Sequence, residues 1–320
     1  MGVKTKNHSD ELIFTRKVCV EAPQTLRSHR RIRSLKVRRR KTFKCEILLA
    51  CLIAQRFDIE VRMEFVQSYY TNKGGHRKSN QDSLAIVKAA LQSGETLLAL
   101  VCDGMGGYSQ GELASKYCVT QIVDWYKNRF PAVTRGSAND DWRIGVQTEL
   151  DILIRNINEH LVAFGRDNEL KIGSTLTGII FWKQMYLVFH VGDSRAYLFT
   201  DKLRQITADD SVVAQKVSEG KLTAQEAKYY EKKNVLTNCV GVSSGVSVQY
   251  YAGNYYGGEC FLLCSDGFWH NLEEAELVRY LQPEQIRTDS DMSMHLEYLT
   301  NLVYERGERD NSTAVGVKIQ

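Results

Sequence analysis

The stretch Thr175–Phe199 reads TLTGIIFWKQMYLVFHVGDSRAYLF. Three apolar runs, Thr175–Trp182, Tyr186–Val191 and Ala196–Phe199, follow one another across tight turns at Trp182-Lys183-Gln184 and Gly192-Asp193. Short runs rich in β-branched and aromatic residues, bounded by Gly and Asp, read as strands. Strands joined this closely are antiparallel, because a parallel pair needs a crossover of roughly a dozen residues or more. Leu84–Val87, Leu97–Cys102, Cys260–Cys264 and Thr313–Ile319 read as further strands. Between them lie helical stripes: Leu113, Tyr117, Gln121 and Trp125 with Ala114, Cys118, Ile122 and Tyr126 alongside, then Val146, Leu150, Leu153, Ile157, Leu161 and Phe164. Glu273–Leu281 and Met292–Tyr304 make two more. The order predicts an α+β layered design with antiparallel sheets inside and helices outside, not alternating βαβ units.

Composition bounds the rest. With 320 residues, 43% of them hydrophobic and 10% aromatic, the chain is not wholly disordered, and three prolines leave no Pro-rich linker. No internal repeat is evident. The net charge of +4 is an average over two unlike regions. Residues 1–45 hold 14 basic and 3 acidic residues, a net of +11, which leaves 28 and 35 in residues 46–320, a net of −7. Arg27–Lys44 packs ten Lys and Arg into 18 residues, without the interleaved aromatics of a single-strand nucleic-acid binder.

The eight cysteines have no paired CxxC spacing, so they read as reduced thiols in a cytoplasmic compartment. Ile47–Ala54 is apolar but spans only about 12 Å as a helix, too short for a ~30 Å hydrocarbon core. No transmembrane segment is expected. Its long charged lead, and the absence of a small-residue cleavage site after it, argue against a secretory signal.

Four aspartates share one setting, at the tip of an apolar strand. Leu98–Cys102 runs into Asp103-Gly104, Phe261–Ser265 into Asp266-Gly267, and Val188–Gly192 into Asp193, while Asp310-Asn311 precedes the last strand. A carboxylate at a buried strand end suffers desolvation unless a cation or several donors meet it. One such residue is an ordinary turn former. Several, each fixed by a rigid strand, are better explained by hard cations that take oxygen ligands.

Seven strings in register then carry a family resemblance. They are Gly75-His76-Arg77-Lys78-Ser79-Asn80-Gln81-Asp82, Val101–Gly107, Gly173-Ser174-Thr175-Leu176, Val191-Gly192-Asp193-Ser194-Arg195, Asn234–Thr237, Cys264–Trp269 and Asp310–Ala314. Together they resemble the metal-dependent type 2C protein serine/threonine phosphatases, the PPM family, in their bacterial form. The resemblance runs from about Glu64 to Gln320. It implies a four-layer α-β-β-α sandwich, two antiparallel sheets flanked by helix pairs. It implies hydrolysis of phosphoserine and phosphothreonine on proteins by a metal-bridged water, opposing a Ser/Thr kinase. Catalytic roles fall on Arg77, Asp82 and Asp103. The metal ligands would be Asp82, Asp103, the Gly104 carbonyl, Asp193, Asp266 and Asp310, holding two Mn²⁺ or Mg²⁺ ions in the core and a third at Asp193 and Asp266. Arg77 would bind the substrate phosphate as a bidentate guanidinium.

Two positions depart from the animal form of the family. Gln81 stands where many members carry Glu, and Met105 where those members carry a His proposed as general acid. Met cannot protonate a leaving group. His76, His190 and His270 are the nearby histidines and read as structural hydrogen-bonding groups. Thr207–Lys233, polar and short of apolar anchors, corresponds to the family's flap and is expected to be mobile and to shape phosphopeptide access.

The expected organisation is a basic extension over 1–62 and a catalytic domain over 63–320. The extension is either an arm without fixed fold or sequence upstream of a natural start at Met63. Partners implied are phosphorylated proteins, including a Ser/Thr kinase and its substrates, with no specific nucleic acid, and the protein is expected to be a monomer. The rival reading is a non-catalytic phosphoprotein-binding module on the same fold. The full set of Asp82, Asp103, Asp193, Asp266 and Asp310 favours the enzyme.

Overall fold

In the computed structural model, which describes residues 64–320 apart from 92–93, 107–109, 136–140, 228 and 233, the longest strand is β3 (Gly94–Gly106). The basic extension and Ile47–Ala54 lie outside the described residues. One sheet runs in the order β2 (Asp82–Leu91), β3, β5 (Leu176–Trp182), β6 (Met185–Val191), β9 (Gln249–Asn254), with β4 (Ile172–Ser174) added to the far end of β3. The other is ordered β1 (Phe65–Asn72), β11 (Ser312–Ile319), β10 (Cys260–Cys264), β7 (Arg195–Phe199), β8 (Leu203–Gln205). All pairings are antiparallel, as the tight turns required. The β5–β6 turn is a two-residue hairpin at Lys183 and Gln184, both at positive φ (49° and 58°), although neither is the Gly or Asn such turns favour.

Aromatic side chains fill the space between the sheets. Phe181 of β5 lies edge-on to Phe261 of β10 at 4.9 Å, and Tyr186 of β6 meets the same ring at 5.2 Å. Helices α1 (Gln110–Asn128), α2 (Phe130–Arg135) and α3 (Arg143–Asp167) lie on the first sheet's side. There the Tyr126 hydroxyl bonds Thr96 Oγ1 at 2.9 Å, and Phe130 and Trp142 pack on Trp182. Helices α7 (Glu274–Leu281) and α8 (Asp289–Glu305) cover the second sheet with Leu277, Leu281, Met292, Leu296 and Leu299 against Phe199, Leu262 and Cys264. The fold is the expected four-layer α+β sandwich.

Each predicted stripe became a helix, with the apolar face turned slightly. In α1 the buried line is Ala114, Cys118, Ile122 and Tyr126, while Leu113 is left exposed. In α3 Ile154, not Leu153, faces inward. The five described cysteines, Cys102, Cys118, Cys239, Cys260 and Cys264, are buried and unbridged. Among the described residues no helix is long and apolar enough to cross a membrane.

Candidate active site

The register of β2 on β3 sets Asp82 directly opposite Asp103. Beyond this point β3 outruns β5 and pairs with β4 instead, so Thr175 sits in the gap between those two strands. Its N–H donates to the Asp103 carbonyl at 2.8 Å, and its hydroxyl accepts from the Asp103 N–H at 2.9 Å. Ser174 Oγ donates to the same carbonyl at 3.1 Å. The backbone of Asp103 is thereby fixed on both polar sides.

Next, β10 ends at Cys264 and Asp266 opens the short helix α6 (Asp266–Trp269). Between them, Ser265 Oγ donates to Asp82 Oδ2 at 2.8 Å and accepts from Thr313 N–H at 3.0 Å, joining the two sheets behind the carboxylates. Two glycines are dictated by close backbone approach. A Cβ on Gly104 would lie 2.0 Å from the Gly111 carbonyl oxygen, and one on Gly267 would lie 2.1 Å from that of Asn311.

Asp310 precedes β11 and receives Arg77 Nη2 at 2.5 Å, which carries the guanidinium from the β1–β2 loop to the cluster. That loop is closed by Asn311. Its amide oxygen accepts from Gln81 N–H at 2.9 Å, and its amide nitrogen donates to the carbonyls of Lys73 (2.8 Å) and Ser79 (3.2 Å).

Asp193 lies in the β6–β7 turn after Gly192, whose φ is +110°. Trp269 Nε1 donates to its carbonyl at 3.1 Å, and the Arg195 guanidinium stacks over the Trp269 ring at 3.3 Å while forking onto Asp209. The flap root is pinned beside this turn, since Asp210 N–H donates to the Gly192 carbonyl at 2.7 Å. The flap itself carries α4 (Val212–Ser218), which buries no residue, and α5 (Ala224–Ala227). His190 is buried, with Nε2 on the Ala208 carbonyl at 3.1 Å and Nδ1 on Thr177 Oγ1 at 2.9 Å. A carbonyl only accepts, so Nε2 carries the proton, and burial pulls the ring's pKa down. His190 is thus the hydrogen-bonded strand histidine that the sequence suggested. His270 packs beside the Trp269 ring and His76 is exposed on the Arg77 loop.

The electrostatics are those of acids crowded out of water. Burial, and then the charges of Asp82, Asp266, Asp193 and Asp310, raise Asp103 well above the usual carboxylate range. Burial and the same neighbours raise Asp266 well above it too. Burial lifts Asp82 to about 6 and Asp193 to about 7. Asp82 Oδ1 and Asp266 Oδ1 are buried with no hydrogen-bond partner. Orphaned carboxylate oxygens of this kind fit hard divalent cations, Mg²⁺ or Mn²⁺. Among the described residues no three His, Cys, Asp or Glu side chains are drawn into a closed ligand cage.

The strand ends therefore bring Asp82, Asp103, Asp266 and Asp310 into one electrostatically coupled group, with Asp193 close enough to perturb it. The Gly104 carbonyl oxygen lies 2.5 Å from where a Cβ on Gly111 of α1 would stand, and Met105 lies opposite Gly173 on β4. Sequence reasoning assigned no role to Thr175, Ser265 or Asn311. Each stood inside a quoted string, but small polar residues near a turn give no sign of their distant partners.

A double-sheet sandwich with clustered acids at its strand ends and the Arg77 guanidinium beside them is the arrangement of a metal-dependent phosphatase, and its likeness to known proteins agrees. Residues 75–301 match the protein phosphatase 2C family, and the chain belongs to it in its bacterial PPM form. It is similar to the serine/threonine phosphatase stp of Listeria innocua, 28% identical over 221 residues that cover 68% of this chain and 83% of that protein. The crystal structure of serine/threonine phosphatase Stp1 from Staphylococcus aureus superposes with a TM-score of 0.68 at 27% identity, covering 82% of this chain and 97% of that one. The catalytic domain of the serine/threonine phosphatase PstP in complex with two manganese ions gives 0.63 at 26% identity, over 80% and 99%.

Proposed function

We propose that this phosphatase hydrolyses phosphoserine and phosphothreonine on proteins, reversing the work of a Ser/Thr kinase in the cytoplasm, and does so as a monomer. The catalytic domain is residues 63–320. The observation that carries the reading is the convergence of four aspartates, Asp82 buried and the other three half-buried, two of them with unpartnered oxygens, beside the Arg77 guanidinium. Asp82, Asp103, the Gly104 carbonyl, Asp266 and Asp310 would hold two Mn²⁺ or Mg²⁺ ions, and Asp193 with Asp266 a third. Bound there, divalent cations supply a water acidified enough to attack phosphorus and neutralise charge on the phosphoryl oxygens.

The chain's own residues do the rest. Arg77 binds the phosphate oxygens and sets the phosphorus for in-line attack. Thr175 and Ser265 keep Asp103 and Asp82 from turning away, so the cluster is preorganised rather than assembled on binding. Met105 donates no proton, so the departing Ser or Thr oxygen is protonated from solvent within the site and not by a side chain at that position. Asp103→Ala or Asp266→Ala should reduce turnover of p-nitrophenyl phosphate and of phosphopeptides at least about a hundredfold, a loss typical of removing a group that stabilises transition-state charge. EDTA should abolish turnover and Mn²⁺ restore it. Undiminished turnover in EDTA would sink the reading.

A further inference from the structure

We infer that the exposed rim formed by Lys73 and Arg309 around Arg77 selects phosphoproteins with acidic residues next to the phosphorylated side chain. The inference rests on the phosphatase reading above and adds a substrate class to it. Lys73, Arg77 and Arg309 are all exposed, and no Asp or Glu occurs between Asn72 and Gln81. Lys73 Nζ donates to the carbonyls of Gly74 (3.5 Å) and Arg77 (3.4 Å), neutral partners that leave its charge uncompensated.

The acids beside the rim are otherwise engaged. Asp310 is taken by Arg77, and Glu308 accepts from the N–H groups of Arg309 and Asp310 and from the Asn271 amide. The partners of Glu308 are neutral and leave its charge in place, but Lys73 and Arg309 outnumber it, so the rim is net positive in front of a site built from carboxylates.

The rim is also held in place. Asn311 ties the carbonyls of Lys73 and Ser79 together, and the Tyr304 hydroxyl lies 2.9 Å from the Asn72 carbonyl and 3.1 Å from that of Asp310. The cations thus stand on a fixed loop whose base is the segment carrying Asp310 and Arg309. With a substrate phosphate on Arg77, an extended peptide advances about 3.3 Å per residue. Its neighbours one or two positions away come within the span of a lysine or arginine side chain. An exposed ion pair of this kind shifts an equilibrium roughly two- to fivefold. Two such contacts are enough to rank substrates.

The test compares kcat/KM on three phosphothreonine peptides identical except for Glu, Gln or Lys at the flanking positions, with Mn²⁺ present. The full chain should favour the Glu peptide over the Lys peptide about tenfold, with Gln between, and the ratio should shrink as salt rises. The double variant Lys73→Glu with Arg309→Glu should reverse the order, and the milder Lys73→Gln with Arg309→Gln should level it. Both variants should keep turnover of p-nitrophenyl phosphate, which has no flanking residues. Equal kcat/KM on all three peptides, with p-nitrophenyl phosphate turned over normally, would overturn the rim and leave the phosphatase standing. No Mn²⁺-dependent turnover of any substrate would overturn both.

Discussion

Asp82, buried, and Asp103, half-buried, face one another on adjacent strands, and Asp193 stands in a buried turn near Asp209. Such residues oppose folding while they are charged. Their pKa values rise on folding, from an ordinary 3.8 to about 6 for Asp82 and about 7 for Asp193, so the folded chain keeps protons that the unfolded chain releases. Stability from these groups is therefore complete in acid and falls as pH climbs through that window. In EDTA, Asp82→Asn and Asp193→Asn should each melt at the same temperature as the unsubstituted protein near pH 4. Above it the variants should melt higher, by about 5 °C by pH 7.5, given ~2–4 °C per kcal/mol in a domain of this size. Adding Mn²⁺ should close or invert the gap, because the ion rewards the charge that the variant lacks. A gap that ignores both pH and Mn²⁺ would show that the buried acids are compensated in another way. Asp103 and Asp193 were legible in the sequence because each follows an apolar run and adjoins Gly, whereas Asp82 follows the polar Ser79-Asn80-Gln81 and was reached only through the family resemblance. Their supports were not legible: the bond from Gln81 N–H to Asn311 joins residues 230 positions apart.

At the level of elements, β3 decides the site. Its long run lets β5 pair with one part and β4 with another, and Asp103 emerges where the partner changes. Immediately beyond, Gly104 passes between Gly111 of α1 and Gln81 at the head of β2. A Cβ there meets backbone on both sides, 2.0 Å from the Gly111 oxygen and 2.6 Å from the Gln81 oxygen, and backbone cannot swing aside as a side chain can. Gly104→Ala should cost on the order of 3 kcal/mol or more, read as a lower denaturation midpoint, together with loss of activity. Gly75→Ala is the control, since nothing lies within 4 Å of its Cβ position, and it should leave stability nearly unchanged. Equal stability of the two variants would mean that α1 can retreat from β3 at little cost. The strands that sequence reading found, β5, β6 and β10, are buried almost throughout, so their apolar runs are continuous. It missed β1 and β9, whose residues are largely half-exposed and polar, as in FVQSYYTN and QYYAGN. There the strand is fixed by partners found only once the chain has folded.

Across the whole molecule, the charge divides some way ahead of the family likeness, which begins near Glu64. The −7 of residues 46–320 belongs largely to a body whose site is made of carboxylates, while the +11 of residues 1–45 lies outside the described residues. The body closes on itself. Phe65 pairs with Ile319, Gln320 N–H donates to the Glu64 carbonyl at 2.8 Å, and Glu64–Gln320 forms one compact unit. Every strand and helix that positions the acids falls inside this unit. We therefore propose that residues 1–62 add nothing to the chemistry and that their excess charge acts, where they are present, on polyanions. A chain starting at Met63 should turn over p-nitrophenyl phosphate within about twofold of the full chain, as expected for a change remote from the reacting groups, and melt at the same temperature. On a heparin column the full chain should elute at distinctly higher salt than the shortened one. A loss of activity beyond about tenfold on truncation, about 1.4 kcal/mol in transition-state stabilisation, would place part of the basic segment within reach of the site. Identical elution of the two chains would remove the polyanion role.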